Sequence, residues 1–174
     1  MGLELTAAVE RSQSGDTQAF AELYSLVYKD LYRLALMDLG NEHDASDVVS
    51  DTVLEAYKNI KKLREPSSFR AWIMKILTAQ INKRLKDYIA QREYREDIED
   101  VEDTVADENT EIKFGRADLV QAMQRLAADE RQVLSLSIVS GYTSEEIAEI
   151  TGIPANTVRS KAARAKEKLR SYME

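Results

Sequence analysis

The sequence TSEEIAEITGIPANTVRSKAARAKEKLR, at residues 143–170, predicts two helices joined by a tight turn. Thr143 and Glu146 have the spacing of a capping box, which predicts that a short helix begins there. Gly152 can adopt a positive φ and Pro154 resists helical continuation, so a turn is expected before the second helix. This order of elements is that of a helix-turn-helix.

The second predicted helix separates apolar from basic side chains. Its apolar residues recur at helical period: Val158, Ala162, Ala165 and Leu169. Residues 157–170 contain six basic residues against one acid, Glu167. Such a helix can enter a DNA major groove, where basic side chains neutralise phosphates and others read base edges. A solvated basic helix in an αα-hairpin is the alternative, but the spacing of the turn favours DNA binding.

The composition excludes several classes of protein. With 174 residues, 44% of them hydrophobic, the chain has room for one or two small domains that each bury a core. Six glycines and two prolines favour an almost wholly helical fold. The absence of cysteine excludes disulfides, a thiol nucleophile and a cysteine-ligated zinc site. No apolar run could span a membrane and no signal-peptide pattern is present, so we expect a cytoplasmic protein without direct membrane insertion.

The net charge of −7 is concentrated in one segment. Residues 97–111 contain eight acids and no base, whereas the rest of the chain holds 24 basic and 23 acidic residues. High charge with few apolar residues is typical of a flexible linker. We therefore predict an all-α protein of two small helical domains, residues 1–94 and 113–174, joined by a flexible acidic linker at residues 95–112.

Four helices are predicted in the first domain. A weakly periodic helix covers residues 3–14. The second begins at Asp16 or Thr17, has a continuous apolar face and stops at Gly40. The third opens at Asp44 and also carries a long apolar stripe.

The third helix presents polar and acidic residues away from its apolar stripe: Asp47, Ser50, Asp51 and Glu55. Acids spaced four residues apart could hold a metal ion or perform acid–base chemistry. A metal-dependent hydrolase is disfavoured, because the sole histidine, His43, is expected to lie outside the helix and no second carboxylate helix faces it. We expect no catalytic residue, cofactor or metal. This helix then offers either a solvated acidic face or a protein-docking face.

The charge reverses in the following segment. Residues 58–86 contain nine bases and one acid. Pro66 interrupts this segment, so a positive loop is predicted to lead into a positive fourth helix capped by a serine. With aromatic residues nearby, the surface suits a nucleic-acid backbone and unstacked bases. Alternatively Phe69 and Trp72 belong to the core and the lysines are merely solvated.

Three stretches resemble the extracytoplasmic-function group of bacterial sigma factors, the small two-domain members of the sigma-70 class. Residues 44–60, DASDVVSDTVLEAYKNI, resemble the polymerase-binding helix of that family. Residues 67–76, SSFRAWIMKI, are similar to the segment around its promoter-melting helix. Residues 129–170, DERQVLSLSIVSGYTSEEIAEITGIPANTVRSKAARAKEKLR, resemble its fourth region. The order and spacing of these stretches, divided by an acidic linker, make the resemblance specific.

The resemblance implies three contact surfaces. The clamp helices of the largest polymerase subunit are expected to bind Asp47, Val48, Ser50, Asp51 and Leu54. The minus-ten promoter element is expected to be captured and opened by Lys61, Lys62, Arg64, Ser67, Phe69, Arg70, Lys75, Lys83 and Arg84. The minus-thirty-five element is expected to be read by Asn156, Thr157, Arg159, Ser160, Lys161, Ala163 and Arg164.

The resemblance also implies a set of partners and a mechanism. Core RNA polymerase, including its flap, promoter DNA and an anti-sigma factor are the expected partners. The protein is then no enzyme, because binding to single-stranded bases stabilises the open complex while the polymerase performs the chemistry. The acidic linker is expected to run toward the polymerase active site and RNA exit path, where its charge can imitate RNA.

Some positions depart from the family pattern, and one rival function stands beside it. Residues that differ from the common ones are Ser46, Ser50, Val53, Ala79, Ala127 and Asn156. They keep the helical pattern but put individual polymerase and DNA contacts in doubt. The rival is a transcription regulator that uses only the helix-turn-helix, with the first domain as a helical sensor or oligomerisation module. No pocket or phosphoacceptor signature supports a sensor.

Overall fold

The structure, a computed structural model, describes residues 2–96 and 114–174. Over these residues the chain is helical, as predicted, and divides into an N-terminal and a C-terminal helical domain. The N-terminal domain consists of α1 (Gly2–Gln13), α2 (Thr17–Leu39), α3 (Glu42–Asn59), two short 3-10 turns (Ile60–Lys62 and Pro66–Ser68) and α4 (Phe69–Glu96). The C-terminal domain consists of α5 (Phe114–Gln124), α6 (Ala128–Ile138), α7 (Ser144–Thr151) and α8 (Ala155–Met173).

The ends of α2 follow the predicted capping signals. Asp16 accepts a hydrogen bond from the backbone N–H of Ala19 at 3.1 Å and so satisfies one free donor of the first turn. Gly40 ends the helix at a φ of 71°, and its N–H donates to the carbonyl of Leu36 at 2.8 Å.

The start of α3 differs from the prediction. The side chain of Asn41 accepts a hydrogen bond from the N–H of Asp44 at 2.9 Å, so the helix begins at Glu42 rather than at Asp44. His43 therefore lies in the first turn of α3, and the expectation that it lies outside the helix is wrong.

The helix-turn-helix has the predicted local structure. Thr143 and Glu146 form both hydrogen bonds of a capping box at the start of α7. Gly152 ends α7 at a φ of 77°, in the left-handed region. On α8 the buried residues are Val158, Ala165 and Leu169, which are three of the four predicted stripe positions; Ala162 is half-buried.

The two domains pack against each other through α2 and α6. Six consecutive residues of α2, 34–39, and seven consecutive residues of α6, 130–136, are buried. A helix at the surface of a domain buries only one stripe of side chains. Because every side chain in these two segments is buried, each segment is covered by neighbouring helices on more than one side. Val133 and Leu136 belong to the same apolar cluster as the N-terminal core, and Met37 belongs to the C-terminal cluster. The described parts of the two domains thus form one packed body.

The predicted linker lies almost entirely outside the described residues. Of residues 95–112, only the last two residues of α4, Arg95 and Glu96, are described, and they extend this helix two residues beyond the predicted domain boundary at 94. Within the described ranges, no helix is both long and apolar enough to cross a membrane.

Candidate nucleic-acid interface

The outward face of α8 carries the residues predicted to read the minus-thirty-five element. Asn156, Arg159, Ser160, Ala163 and Arg164 are exposed, and Thr157 and Lys161 are half-buried. Helical period places them on the side opposite the buried stripe. The predicted reading face is therefore open to solvent while the domains are packed together.

Two basic residues of this face have acidic partners. The guanidinium of Arg159 donates to the Asn156 side-chain oxygen at 2.7 Å and pairs with Glu145 of α7. Lys161 pairs with Asp129 of α6, and this hydrogen bond lowers the pKa of the Asp129 carboxyl. Exposed ion pairs of this kind contribute about 0.2–1 kcal/mol each. These ion pairs hold the Arg159 and Lys161 side chains in place. Because each pair is weak, DNA can replace the acidic partner at a small cost in free energy.

The basic loop between α3 and α4 is shaped by a residue that the sequence did not single out. The amide of Gln13, at the end of α1, donates to the carbonyls of Ile60 at 2.9 Å and of Leu63 at 2.7 Å. Ile60 and Leu63 are buried, so the loop is anchored from inside. Its charged residues Lys61, Lys62 and Arg64 are exposed. A lone glutamine in a weakly periodic helix gives no sequence signal for this role.

A serine was predicted to cap α4, and in the structure Ser67 is hydrogen-bonded to Glu65. Glu65 accepts hydrogen bonds from the N–H of Ser67 at 3.5 Å and from its hydroxyl at 3.0 Å. The predicted serine cap is thus replaced by a Glu65 cap on the 3-10 turn, from which α4 continues directly at Phe69.

Two of the predicted contact residues are inside the core. Phe69 is 1% exposed and lies against Trp72, with 6.0 Å between ring centroids. Val48, predicted to dock on polymerase, is 2% exposed. Burial excludes direct contact by these two side chains in this conformation, because neighbouring core residues cover their surfaces. The core alternative was correct for Phe69, and Trp72 is half-buried.

The remaining predicted minus-ten residues divide into exposed and paired groups. Lys75 and Lys83 are exposed on α4. Arg70 is half-buried and lies 3.9 Å from Asp30 of α2. Burial raises the pKa of Tyr142, in the turn before α7, and the nearby Arg70 charge opposes this rise. Arg70 therefore lies where the two domains meet.

Arg84 lies on the side of α4 that faces α3. Its guanidinium is 3.5 Å from a carboxylate oxygen of Asp44 and 3.9 Å from one of Asp47. The Tyr88 hydroxyl donates to Asp44 as well, and burial together with this hydrogen bond raises the pKa of Tyr88. Arg84 is thus held against the predicted polymerase-binding helix rather than directed outward.

The same acids form the only arrangement among the described residues that could hold a metal ion: His43, Asp44 and Asp47, with ligand atoms within 4.8 Å of one another. Arg84 already supplies positive charge to both carboxylates. His43 is exposed and 3.4 Å from Asp47. A guanidinium in this position repels a cation, so the chemistry of the cluster favours an ion-pair network over a metal centre.

The outer face of α3 offers a mixed polar and apolar surface. Ser50 and Asp51 are exposed, and Asp47 is half-buried. Leu54 is 57% exposed and Tyr57 is 49% exposed, which is high for apolar side chains of this size. Large apolar side chains beside acids are typical of a protein contact rather than of a solvated face. Tyr57 was not among the predicted contact residues.

Comparisons with known proteins identify the family. The Sigma-70 region 2 model matches residues 20–92, and the Sigma-70, region 4 model matches residues 116–169. The chain is 30% identical to the ECF RNA polymerase sigma-E factor of Haemophilus influenzae, over 97% of this chain and 94% of that protein. The chain belongs to the extracytoplasmic-function (ECF) RNA polymerase sigma factors. This ECF sigma factor is also 28% identical to SigW of Bacillus subtilis, over 99% of this chain and 98% of SigW.

Two solved structures share the fold of this ECF sigma factor. CnrH, in complex with the cytosolic domain of CnrY, matches with a TM-score of 0.72 and 23% identity, over 98% of this chain and 97% of CnrH. RpoE of Bartonella quintana, in complex with the anti-sigma factor NepR, matches with a TM-score of 0.78 and 23% identity, over 90% of this chain and 98% of RpoE. The protein is an RNA polymerase sigma factor, a class of transcription initiation factors rather than of enzymes.

Proposed function

We propose that this sigma factor uses three separate surfaces to bring core RNA polymerase to promoters and to open them. The observation that carries the proposal is the arrangement of exposed basic and apolar side chains on three elements. These are the outward face of α8, the loop 61–68 with α4, and the outer face of α3. The charge and polarity of each surface suit a different ligand.

The α8 surface reads the minus-thirty-five element. Arg164 is exposed and makes no hydrogen bond or ion pair within the described part of the chain, so it is available to a base edge or a phosphate. Arg159 and Lys161 exchange their acidic partners for DNA. Arginine bound by both donors to guanine is the commonest specific contact in the major groove.

The loop and α4 capture the minus-ten element. The exposed cations Lys61, Lys62 and Arg64 attract the phosphate backbone, and the loop between them and α4 receives an unstacked base. Unpairing a base costs a few kcal/mol, which binding of the single-stranded form must offset. The sigma factor contributes this binding energy and the polymerase contributes the chemistry.

The α3 surface docks on the polymerase. Asp47 and Asp51 provide negative charge, and Leu54 with Tyr57 provides apolar area that a partner can bury. The family resemblance assigns the clamp helices of the largest subunit as the partner of α3, and the flap as the partner of the C-terminal domain.

An anti-sigma factor is the further partner that we infer. RpoE of Bartonella quintana forms a complex with the anti-sigma factor NepR, and CnrH forms one with CnrY. A partner that covers the α3 and DNA-binding surfaces of this chain would keep it from polymerase. We place the protein in the cytoplasm, where polymerase and promoter DNA are found.

Run-off transcription tests the proposed function. The purified chain is added to core polymerase with a library of genomic promoters, and initiation sites are read from the transcripts. We expect transcripts that start downstream of a shared pair of sequence elements and that are absent without the chain. Tight binding to duplex promoter DNA without polymerase, together with unchanged initiation, would establish the rival regulator instead.

A further inference from the structure

A buried polar cluster lies between the two domains. Asp38 of α2 is 1% exposed, and Arg131 and Ser135 of α6 are 6% and 0% exposed. The Ser135 hydroxyl lies 3.0 Å from one carboxylate oxygen of Asp38 and 3.1 Å from the carbonyl oxygen of Gln132. The second carboxylate oxygen of Asp38 and the Nε of Arg131 have no hydrogen-bond partner among the described residues.

The hydrogen bonds of this cluster favour a protonated Asp38. The Ser135 hydroxyl has one proton and two acceptors, so an ionised Asp38 competes for it with the Gln132 carbonyl. A protonated Asp38 instead donates to Ser135, which then donates to Gln132, and all three groups are satisfied. Burial acts in the same direction, since an unpaired carboxylate loses its hydration.

Neutral contacts surround the cluster and tie the same two domains. The amide of Gln124 in α5 donates to the carbonyl of Met37 at 2.8 Å, which satisfies a free carbonyl at the end of α2. The Gln124 side chain fills the space beside Gly40, where an added Cβ would lie 2.7 Å from it. The amide of Gln132 donates to Asn82 of α4 at 3.2 Å. Asp38 and Arg131 are thus the buried charged residues among these contacts of α2 and α6.

The packed body is too small to bind both promoter elements at once. Elements centred at minus ten and minus thirty-five are about 25 base pairs apart, which is about 85 Å of duplex at 3.4 Å per base pair. A compact chain of 174 residues has a radius of gyration of about 16 Å and a diameter of about 40 Å. Residues 97–113 are enough chain to span at most about 60 Å, so separated domains can reach both elements.

We propose that Asp38 and Ser135 form a latch that holds the two domains of the free sigma factor together and that opens when promoter DNA is bound on core polymerase. The part that concerns promoter binding rests on the proposed function. In the closed state Arg70, a predicted minus-ten contact, is held near Asp30 and Tyr142 at the domain boundary.

The latch depends on pH with a definite sign. Burial raises the pKa of Asp38 to about 7, against smaller lowering effects of the Ser135 hydrogen bond and the Arg131 charge. Once the domains part, Asp38 is hydrated and its pKa returns toward 3.8. The closed state therefore binds one proton more between these values. The ratio of closed to open protein is therefore highest below about pH 4. Between about pH 4 and pH 7 this ratio falls about tenfold for each pH unit.

Distance measurements on the free protein test the latch. The chain has no cysteine, so fluorophores can be attached at Ser25→Cys and Ser171→Cys, two exposed positions on different domains. We expect high energy-transfer efficiency near pH 5 and a growing low-efficiency population as the pH rises to 8. Asp38→Asn should stay closed with little pH dependence, because the amide N–H donates to Ser135 as the protonated carboxyl does and the side chain carries no charge.

A second variant tests the hydrogen bond itself. Ser135→Ala leaves Asp38 without its partner and should raise the open population at every pH above 5, whereas Ser14→Ala, at an exposed serine in the turn after α1, should not. Gln124→Ala weakens the contact between the domains without touching a charge and should open the protein equally at all pH values. Circular dichroism of each variant verifies that its helices are intact.

The outcomes separate the latch from the proposed function. A wild-type efficiency that is low at all pH values, or that has the same pH dependence in Asp38→Asn, would overturn the latch without any reference to transcription. A latch that behaves as expected in the free protein but never opens on addition of core polymerase and promoter DNA would overturn its proposed role in initiation. The run-off assay tests the function separately.

Discussion

Arg159 and Arg164 differ in how the free protein holds them, and this difference predicts their roles. Arg159 is fixed by Asn156 and Glu145, whereas Arg164 has no such partner within the described residues. A pre-positioned guanidinium loses less side-chain entropy on binding a base edge. Arg159 is therefore the better candidate for sequence reading, and Arg164 for phosphate contact.

Replacing each arginine by alanine tests this assignment. We expect Arg159→Ala to weaken binding of the polymerase holoenzyme to the preferred minus-thirty-five sequence by about 1–3 kcal/mol and to relax discrimination there. Arg164→Ala should weaken binding to all sequences alike and reduce the salt dependence. Fluorescence anisotropy with matched and mismatched duplexes measures both. Arg170→Ala, on the exposed end of α8, is the control, and equal losses for Arg159→Ala on every duplex would make Arg159 a phosphate contact.

Asp51 tests the polymerase-binding surface at a single residue. Asp51 is exposed on α3, so Asp51→Arg should leave the fold intact while it reverses the charge presented to polymerase. We expect at least a tenfold loss of affinity for core polymerase, in line with the cost of a like-charge contact. Glu4→Arg on the exposed side of α1 is the matched control. Unchanged affinity by surface plasmon resonance would remove Asp51 from the interface.

Sequence reasoning succeeded at residues whose role is local. Asp16, Gly40 and the capping box at Thr143 act within one or two turns of their own helix, and each is where the pattern predicted. It did not identify Gln13 or Asp38, because their partners are 47 and 97 residues away in sequence. It assigned direct contacts to Val48 although this residue belongs to the apolar stripe of α3.

At the scale of elements, the loop before α4 depends on α1 for its shape. Gln13 makes two hydrogen bonds to loop carbonyls, and Ile60 and Leu63 anchor the loop in the core. The helices themselves could be predicted from the helical spacing of their apolar residues and from their capping residues. The start of α3 was not, because Asn41 and Asp44 are both good capping residues and only the hydrogen bond in the structure decides between them.

The Gln13→Ala variant measures what this support contributes. Loss of two hydrogen bonds to backbone carbonyls should reduce the free energy of unfolding by about 1–3 kcal/mol. A loosened loop should also bind a single-stranded minus-ten oligonucleotide more weakly in the holoenzyme, since the bound conformation is less often populated. Urea unfolding and fluorescence anisotropy give the two values. Gln18→Ala, at an exposed position of α2, is the control, and lost stability with unchanged oligonucleotide binding would separate the loop from minus-ten capture.

At the scale of the whole molecule, the packing of the two domains was beyond sequence reasoning. Periodicity shows which face of a helix is apolar but not which partner covers it. One signal was present: residues 34–39, LALMDL, are too continuously apolar for a helix with a single buried stripe. However, this run contains an acid, Asp38, and an acid predicts an exposed position. The sequence therefore did not predict that a second domain covers this part of α2. The polar contacts at this interface, such as Asp38 with Ser135, add to the shared apolar core, and hydrophobic pattern alone could not find them.

The closed state couples the stability of the two domains, and unfolding measures this coupling. Trp72 is the only tryptophan and is half-buried in the N-terminal domain, while a fluorophore at Ser171→Cys reports on the C-terminal domain. Near pH 5, where Asp38 is protonated in the closed state, we expect the two urea transitions to coincide, because neither domain unfolds without losing the shared core. Between pH 5 and pH 8 the coupling should weaken by about 3 kcal/mol, which corresponds to the two pH units between 5 and the raised pKa of Asp38, and the transitions should separate. Asp38→Asn should unfold in coincident transitions at both pH values, and separate wild-type transitions at pH 5 would contradict the coupling.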